Sequence, residues 1–150
     1  MRLCPAPPDR GIVFRRTDRG GAEIAASWQN VADLPMCTAL QNADGIRVAT
    51  VEHLLAALAG CGIDNAVVEI DGPELPVMDG SAAPFVFLID CAGVLPQDRP
   101  RHAIRVLEPI AVADEDRSAC LLPGDGFSIS IEIDYPFPPI HRQRFCAPMD

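Results

Sequence analysis

The stretch from Leu95 to Arg101 constrains the fold most, because it interrupts the sequence with two prolines set among polar residues. Proline fixes φ and cannot donate a backbone hydrogen bond, so a helix or a central strand does not pass through such a stretch. This composition is typical of a linker between domains. We therefore predict a first domain at residues 1–95, a linker at 96–102 and the start of a second domain at 103–150.

Two helices are predicted before the linker. Thr50 to Ala59 has apolar residues at helical spacing on one face, with Thr50 as the N-cap and glycines just after the last turn. The second helix is predicted from about Ala82 to Ala92, with Ser81 as its cap. Strand-like runs accompany these helices at residues 11–16, 36–40, 46–48 and 66–70.

After the linker the pattern changes to strands alone. They are predicted at residues 103–107, 109–113, 119–122 and 127–134. The sequence up to residue 150 contains no helix that would cover the apolar face of this second sheet. Because a sheet with one uncovered apolar face is an incomplete domain, we expect the second domain to be truncated and the chain to be a fragment.

Charge and hydropathy exclude two classes of partner. The formal net charge is -9, and the basic residues do not form the concentrated basic face that nucleic-acid binding requires. No stretch approaches the roughly 20 apolar residues needed to span a bilayer. The N-terminus also lacks the apolar run of a secretory signal. We expect a cytoplasmic protein with no nucleic-acid partner and no transmembrane segment.

The cysteines are widely spaced and form no C-x-x-C pair. In the absence of a secretory signal, reduced thiols are the expectation. The same spacing is poor for a metal site built from cysteine alone. A small metalloprotein that binds its metal through these cysteines is therefore a disfavoured alternative.

Glu52 and His53 stand together at the start of the first predicted helix. An acidic side chain is favoured there by the helix dipole and the free backbone N–H groups. Adjacent helical residues point about 100° apart, so the two side chains can flank one cavity without stacking on each other. A His that holds zinc beside a Glu that takes a proton from water is the arrangement of zinc hydrolysis. A purely structural or surface role for the pair remains open.

Two other segments are candidates for chemistry. Asp79-Gly80-Ser81 leads directly into the second helix, where a carboxylate can orient a ligand, although turn and capping chemistry also accounts for it. Cys37-Thr38 lies near the end of a short strand and could line a cleft. Buried packing is the alternative for that second segment.

Two longer runs, Thr50 to Asn65 and Glu74 to Phe85, carry a resemblance to a known family. The chain closely resembles the UDP-3-O-acyl-N-acetylglucosamine deacetylases from Gly11 to Ala92, and more weakly from Ile104 to the end. The resemblance implies an α+β fold of two similar domains, each a sheet carrying helices, with the active site at their junction. On this basis the first domain is nearly complete here and the second is truncated.

The resemblance also implies an activity. Members of this family are zinc-dependent amide hydrolases that remove the acetyl group from UDP-3-O-(3-hydroxyacyl)-N-acetylglucosamine, the committed step of lipid A synthesis in Gram-negative bacteria. The position of Glu52 supplies their general base, and that of His53 supplies the first zinc ligand. Asp79 matches a position that supports catalysis, while Cys37 and Thr38 match positions close to the substrate and zinc cleft.

Other features of the family have no counterpart in this sequence. Its remaining zinc ligands, a His and an Asp on a later helix, lie beyond residue 150, as does a second catalytic His. The family's first strand and its glycine-rich turn are missing too. We expect the remaining ligands to be supplied by sequence beyond residue 150 and the isolated chain to be inactive. The alternative is a catalytically silent binding or interaction module from a truncated gene.

Overall fold

A computed structural model describes residues 1–148 of the chain. Within them the protein forms two compact units, one spanning Met1–Arg101 and the other beginning at His102. In chain order the elements are β1 (Arg2–Pro5), β2 (Ile12–Arg16), β3 (Ala22–Ala25), β4 (Val31–Ala32), β5 (Ala39–Gln41), β6 (Arg47–Ala49), α1 (Glu52–Gly60), β7 (Ala66–Ile70), α2 (Ala83–Ala92), β8 (Ile110–Asp114), β9 (Arg117–Leu121), β10 (Ser128–Tyr135) and β11 (His141–Pro148). The predicted α+β class is confirmed.

The first unit is built on a four-stranded sheet in the order β1-β7-β2-β3, in which β2 runs parallel to β7 and the other pairs are antiparallel. Strands β4, β5 and β6 form a smaller antiparallel sheet. Apolar side chains of β2 and β7 pack with those of both helices in one core, with Phe14 and Val68 completely buried. This core fixes α1, and therefore the first turn that carries the candidate residues.

Charged side chains form a row across the four-stranded sheet, and each of its strands contributes one of them. Arg15 donates to Glu69 on β7 at 3.2 Å and to Glu23 on β3 at 2.9 Å, and Arg2 on β1 lies 2.9 Å from Glu69. Because these groups are partly exposed, each pair contributes little to stability.

The observed elements differ from the sequence predictions at several points. The predicted N-cap role of Thr50 is wrong: α1 begins at Glu52, and Val51 occupies the N-cap position with no side-chain cap. The predicted strand at residues 103–107 is also wrong, since that stretch has no regular structure. The strands β1, β3, β4 and β11 were not predicted. The predicted N-cap role of Ser81 is wrong as well: Ala82 occupies the N-cap position of α2 with no side-chain cap, although Oγ of Ser81 accepts the N–H of Ala83 at 3.1 Å.

The second unit consists of two antiparallel hairpins, β8–β9 and β10–β11. None of its residues from 102 to 148 is buried. Large apolar side chains such as those of Ile131 and Phe145 are 53% and 60% exposed. Among residues 1–148, no helix has the length and apolar character needed to cross a membrane.

The buried side chain of Arg16 gives the first unit an acid-sensitive contact. Arg16 donates to both carboxylate oxygens of Asp18, at 2.8 and 2.7 Å, and also to the carbonyl of Arg47. These hydrogen bonds from Arg16 hold the pKa of Asp18 below its usual range. A lowered pKa in the folded state adds stability above the ordinary pKa of about 4, and this stability is lost as the pH falls through the lowered value.

Asp18→Asn is therefore expected to destabilise the first unit at pH 7 and to have progressively less effect as the pH falls below about 4. The reason is that the acidic solution already protonates the carboxyl group that the substitution removes. Urea unfolding of both proteins across this pH range measures the difference. Asp44→Asn, in an exposed turn, is the matched control. A deficit that is the same at pH 7 and at pH 2.5 would contradict the ion-pair explanation.

Candidate functional site

Two of the predicted site segments meet at the first turn of α1. The backbone N–H of Thr38 donates to Oε2 of Glu52 at 3.0 Å, and the N–H of Val51 donates to the carbonyl of Thr38 at 3.2 Å. These two bonds join the loop before β5 to the start of the helix. Thr38 and Glu52 are fourteen positions apart, so only the fold brings them together.

Glu52 is the first residue of α1 and is half-buried. The partial positive charge of the helix N-terminus stabilises its carboxylate. One oxygen, Oε2, is held by Thr38. Within residues 1–148 the other oxygen, Oε1, has no hydrogen-bond partner. The carboxylate is thus fixed at one oxygen and available to accept a proton at the other.

His53 and Asp79 form the second part of the site. The hydroxyl of Ser81 donates to Oδ1 of Asp79 at 2.8 Å, and the backbone N–H of Ser81 donates to the same atom at 2.9 Å. These bonds lower the pKa of Asp79 below its usual range, and the nearby His53 lowers it further. His53 is half-buried and makes no hydrogen bond to the described part of the chain. An available imidazole therefore lies close to a carboxylate that stays ionised.

Cys37 is half-buried and forms no disulfide. It precedes Thr38 in the loop, but within residues 1–148 its thiol makes no hydrogen bond to Glu52, His53 or Asp79. Thr38 is therefore bonded directly to Glu52, whereas Cys37 is connected to Glu52 only as the chain neighbour of Thr38.

A residue in a left-handed backbone conformation lies one or two positions before each of the three candidate segments, which begin at Cys37, Glu52 and Asp79. The φ angles are +67° at Met36, +57° at Thr50 and +54° at Met78. Residues other than glycine adopt this region at a cost of about 1–2 kcal/mol. Such strain concentrates at functional sites, where surrounding contacts hold it. The sequence does not reveal these positions, because neither Met nor Thr is typical of a left-handed conformation.

The side chains of the candidate site can supply one zinc ligand but not a complete set of zinc ligands. A neutral imidazole is a good zinc ligand, and His53 has no competing hydrogen bond. Residues 1–148 contain no group of three or more His, Cys, Asp or Glu side chains arranged to hold a metal ion. These residues alone would leave a metal under-coordinated.

The chain matches a protein family over residues 1–150, the LpxC family, described as UDP-3-O-acyl N-acetylglycosamine deacetylase. The match covers the whole sequence, including the candidate site. The chain belongs to this family.

Curated relatives agree with the family match. The chain is similar to UDP-3-O-acyl-N-acetylglucosamine deacetylases of Shewanella oneidensis, at 48% identity, and of Saccharophagus degradans, at 49% identity. Each comparison covers 100% of this chain but only 49% and 50% of the respective relative. The chain thus spans about half the length of the curated relatives it matches.

Proposed function

We propose that the protein to which this sequence belongs hydrolyses the N-acetyl group of UDP-3-O-acyl-N-acetylglucosamine. The full product of its reading frame is called the complete protein. The reaction releases acetate and leaves a free amine, as the committed step of lipid A synthesis in the cytoplasm of a Gram-negative bacterium. Family membership and the names of the relatives support this substrate class. The observation that carries the chemistry is the carboxylate of Glu52, held at one oxygen and unoccupied at the other.

Zinc is the cofactor we propose, with His53 as one ligand and the remaining ligands supplied by sequence beyond residue 150. The available imidazole supports this assignment. When bound, zinc supplies an electrophile that activates water and polarises an amide carbonyl.

Glu52 acts as the general base in this proposal. The N–H of Thr38 holds Oε2, so the geometry leaves Oε1 to accept a proton from the attacking water. A base must lie within hydrogen-bond reach of the proton it takes, and a fixed carboxylate meets this requirement better than a mobile one. The same group can return the proton to the leaving amine.

Asp79 supports catalysis without itself reacting. Its ionised carboxylate lies near His53, and a negative charge near a ligating imidazole makes that ring a stronger metal ligand. Ser81 in turn holds Asp79 in place through two hydrogen bonds. We assign Cys37 and Thr38 to the wall of the substrate cleft, since Thr38 adjoins Glu52.

A second candidate function is a catalytically silent binding module. The absence of a three-ligand group from residues 1–148 favours it, as does the absence of buried residues from 102 to 148. The two candidates differ in what the complete protein does with zinc and substrate.

The 150-residue chain by itself is expected to bind no zinc tightly and to show no turnover, because a single imidazole cannot hold a catalytic metal. The complete protein is expected to bind one zinc ion and to release acetate. Metal analysis after dialysis and a deacetylation assay, run on both proteins, measure this. An inactive, metal-free complete protein supports the silent module. Tight zinc with turnover in the isolated chain would contradict the proposal that ligands lie beyond residue 150.

A further inference from the structure

Thr50 has a backbone conformation that a β-branched residue rarely adopts. Its φ of +57° lies in the left-handed region, where the Cβ crowds the following carbonyl oxygen. Its side chain is only 7% exposed. The hydroxyl does not cap α1, which is the usual role of a Thr at this place. Another contact must hold Thr50 in this conformation.

That contact is with Glu74. The hydroxyl of Thr50 donates to Oε1 of Glu74 at 2.7 Å, a hydrogen bond strengthened by the charge of its acceptor. The adjoining backbone is joined as well: Ala49 donates to the carbonyl of Pro73 at 2.8 Å and accepts from the N–H of Leu75 at 3.1 Å. Leu75 is buried in the core. Glu74 is therefore fixed by the backbone bonds on both sides of it.

The Thr50–Glu74 pair lies between the parts of the candidate site. On one side, the residue after Thr50 donates to the carbonyl of Thr38, whose own N–H holds Glu52. On the other side, Glu74 begins the short segment that leads to Asp79. A shift of Thr50 would thus move the first turn of α1 relative to both neighbouring segments.

We propose that Thr50 and Glu74 are positioning residues. Their hydrogen bond holds Thr50 in the left-handed conformation and thereby sets Glu52 and His53 against Thr38 and the segment of Asp79. The catalytic consequence rests on the proposed function, whereas the structural role of the pair is independent of it. Neither side chain takes part in the chemistry itself.

Thr50→Val tests the structural role, because valine keeps the β-branch and its backbone cost but lacks the hydroxyl. We expect the amide protons of Thr38 and Val51 to exchange with solvent about tenfold faster or more in this variant. Thr50→Ser is expected to restore slow exchange. Thr17→Val, which loses a hydroxyl bond to the carbonyl of Ile70, is the matched control. NMR-detected exchange on the 150-residue chain measures these rates, and parental exchange in Thr50→Val would overturn the proposal.

Kinetics of the complete protein test the catalytic consequence. Thr50→Val and Glu74→Ala are expected to lower kcat about tenfold with KM changed by less than about twofold, because they displace the base and not the substrate. Thr50→Ser and Glu74→Gln keep the hydrogen bond and should recover most of kcat. An equal loss in the conservative variants would refute the positioning role. No turnover in the parent would refute the deacetylase assignment, and the exchange rates would then decide the role of the pair.

Discussion

Glu52→Gln in the complete protein is expected to lower kcat for deacetylation by about 10²- to 10⁴-fold, the range that a positioned general base contributes. The amide of Gln keeps an oxygen that can accept the N–H of Thr38, so the local hydrogen bond to the loop survives. What the substitution removes is the capacity to take a proton at neutral pH. Steady-state acetate release, measured with zinc content on the same preparation, tests the expectation.

The zinc content should be unchanged, because the role we propose for Glu52 does not include binding the metal. Glu69→Gln is the matched control: Glu69 is also a half-buried glutamate, but it pairs with Arg2 and Arg15 and should retain full turnover. Undiminished kcat in Glu52→Gln would remove this residue from the role of base. Loss of zinc together with kcat would instead assign Glu52 to the metal site.

The sequence predicted the elements that carry a clear apolar pattern. The apolar spacing after Thr50 correctly predicted α1, and the apolar run at Ala66–Ile70 correctly predicted β7. Strand β11 (His141–Pro148) was not predicted because its first half is polar and its residues do not alternate between polar and apolar; it forms a strand by pairing along β10. The run at 103–107 has strand-like composition but no partner strand within residues 1–148. Strand formation depends on distant partners that composition does not reveal.

In the candidate site, too, the features with a local sequence pattern could be predicted and those that depend on contacts across the fold could not. Glu52 and His53 stand out in the sequence because they are adjacent at a helix start. The hydrogen bond from Thr38 to Glu52 is invisible there, since it joins two segments across the fold. The Thr50 hydroxyl was misassigned because helix statistics favour capping, whereas its left-handed backbone directs it to Glu74. Tertiary contacts decided each of these outcomes.

His53→Ala in the complete protein is expected to weaken zinc binding by more than about 100-fold, because loss of an outer partner of a ligand already costs 10- to 100-fold. The imidazole of His53 is available for a metal, since it makes no hydrogen bond to the described residues. Turnover should fall with zinc occupancy. Competition with a chromogenic chelator measures the affinity, and acetate release measures the activity.

Glu69→Gln, at a half-buried side chain of the first unit that pairs with Arg2 and Arg15, is the control and should leave zinc affinity unchanged. Asp79→Asn measures the contribution of Asp79 to zinc affinity separately from that of His53. It keeps the shape of the residue but removes the ionised carboxylate near His53, so we expect an intermediate loss of affinity, about 10- to 100-fold. Unchanged zinc affinity in His53→Ala would exclude this residue from the ligand set. Residues 1–148 would then contribute the proposed base, but the metal would be held entirely by other parts of the protein.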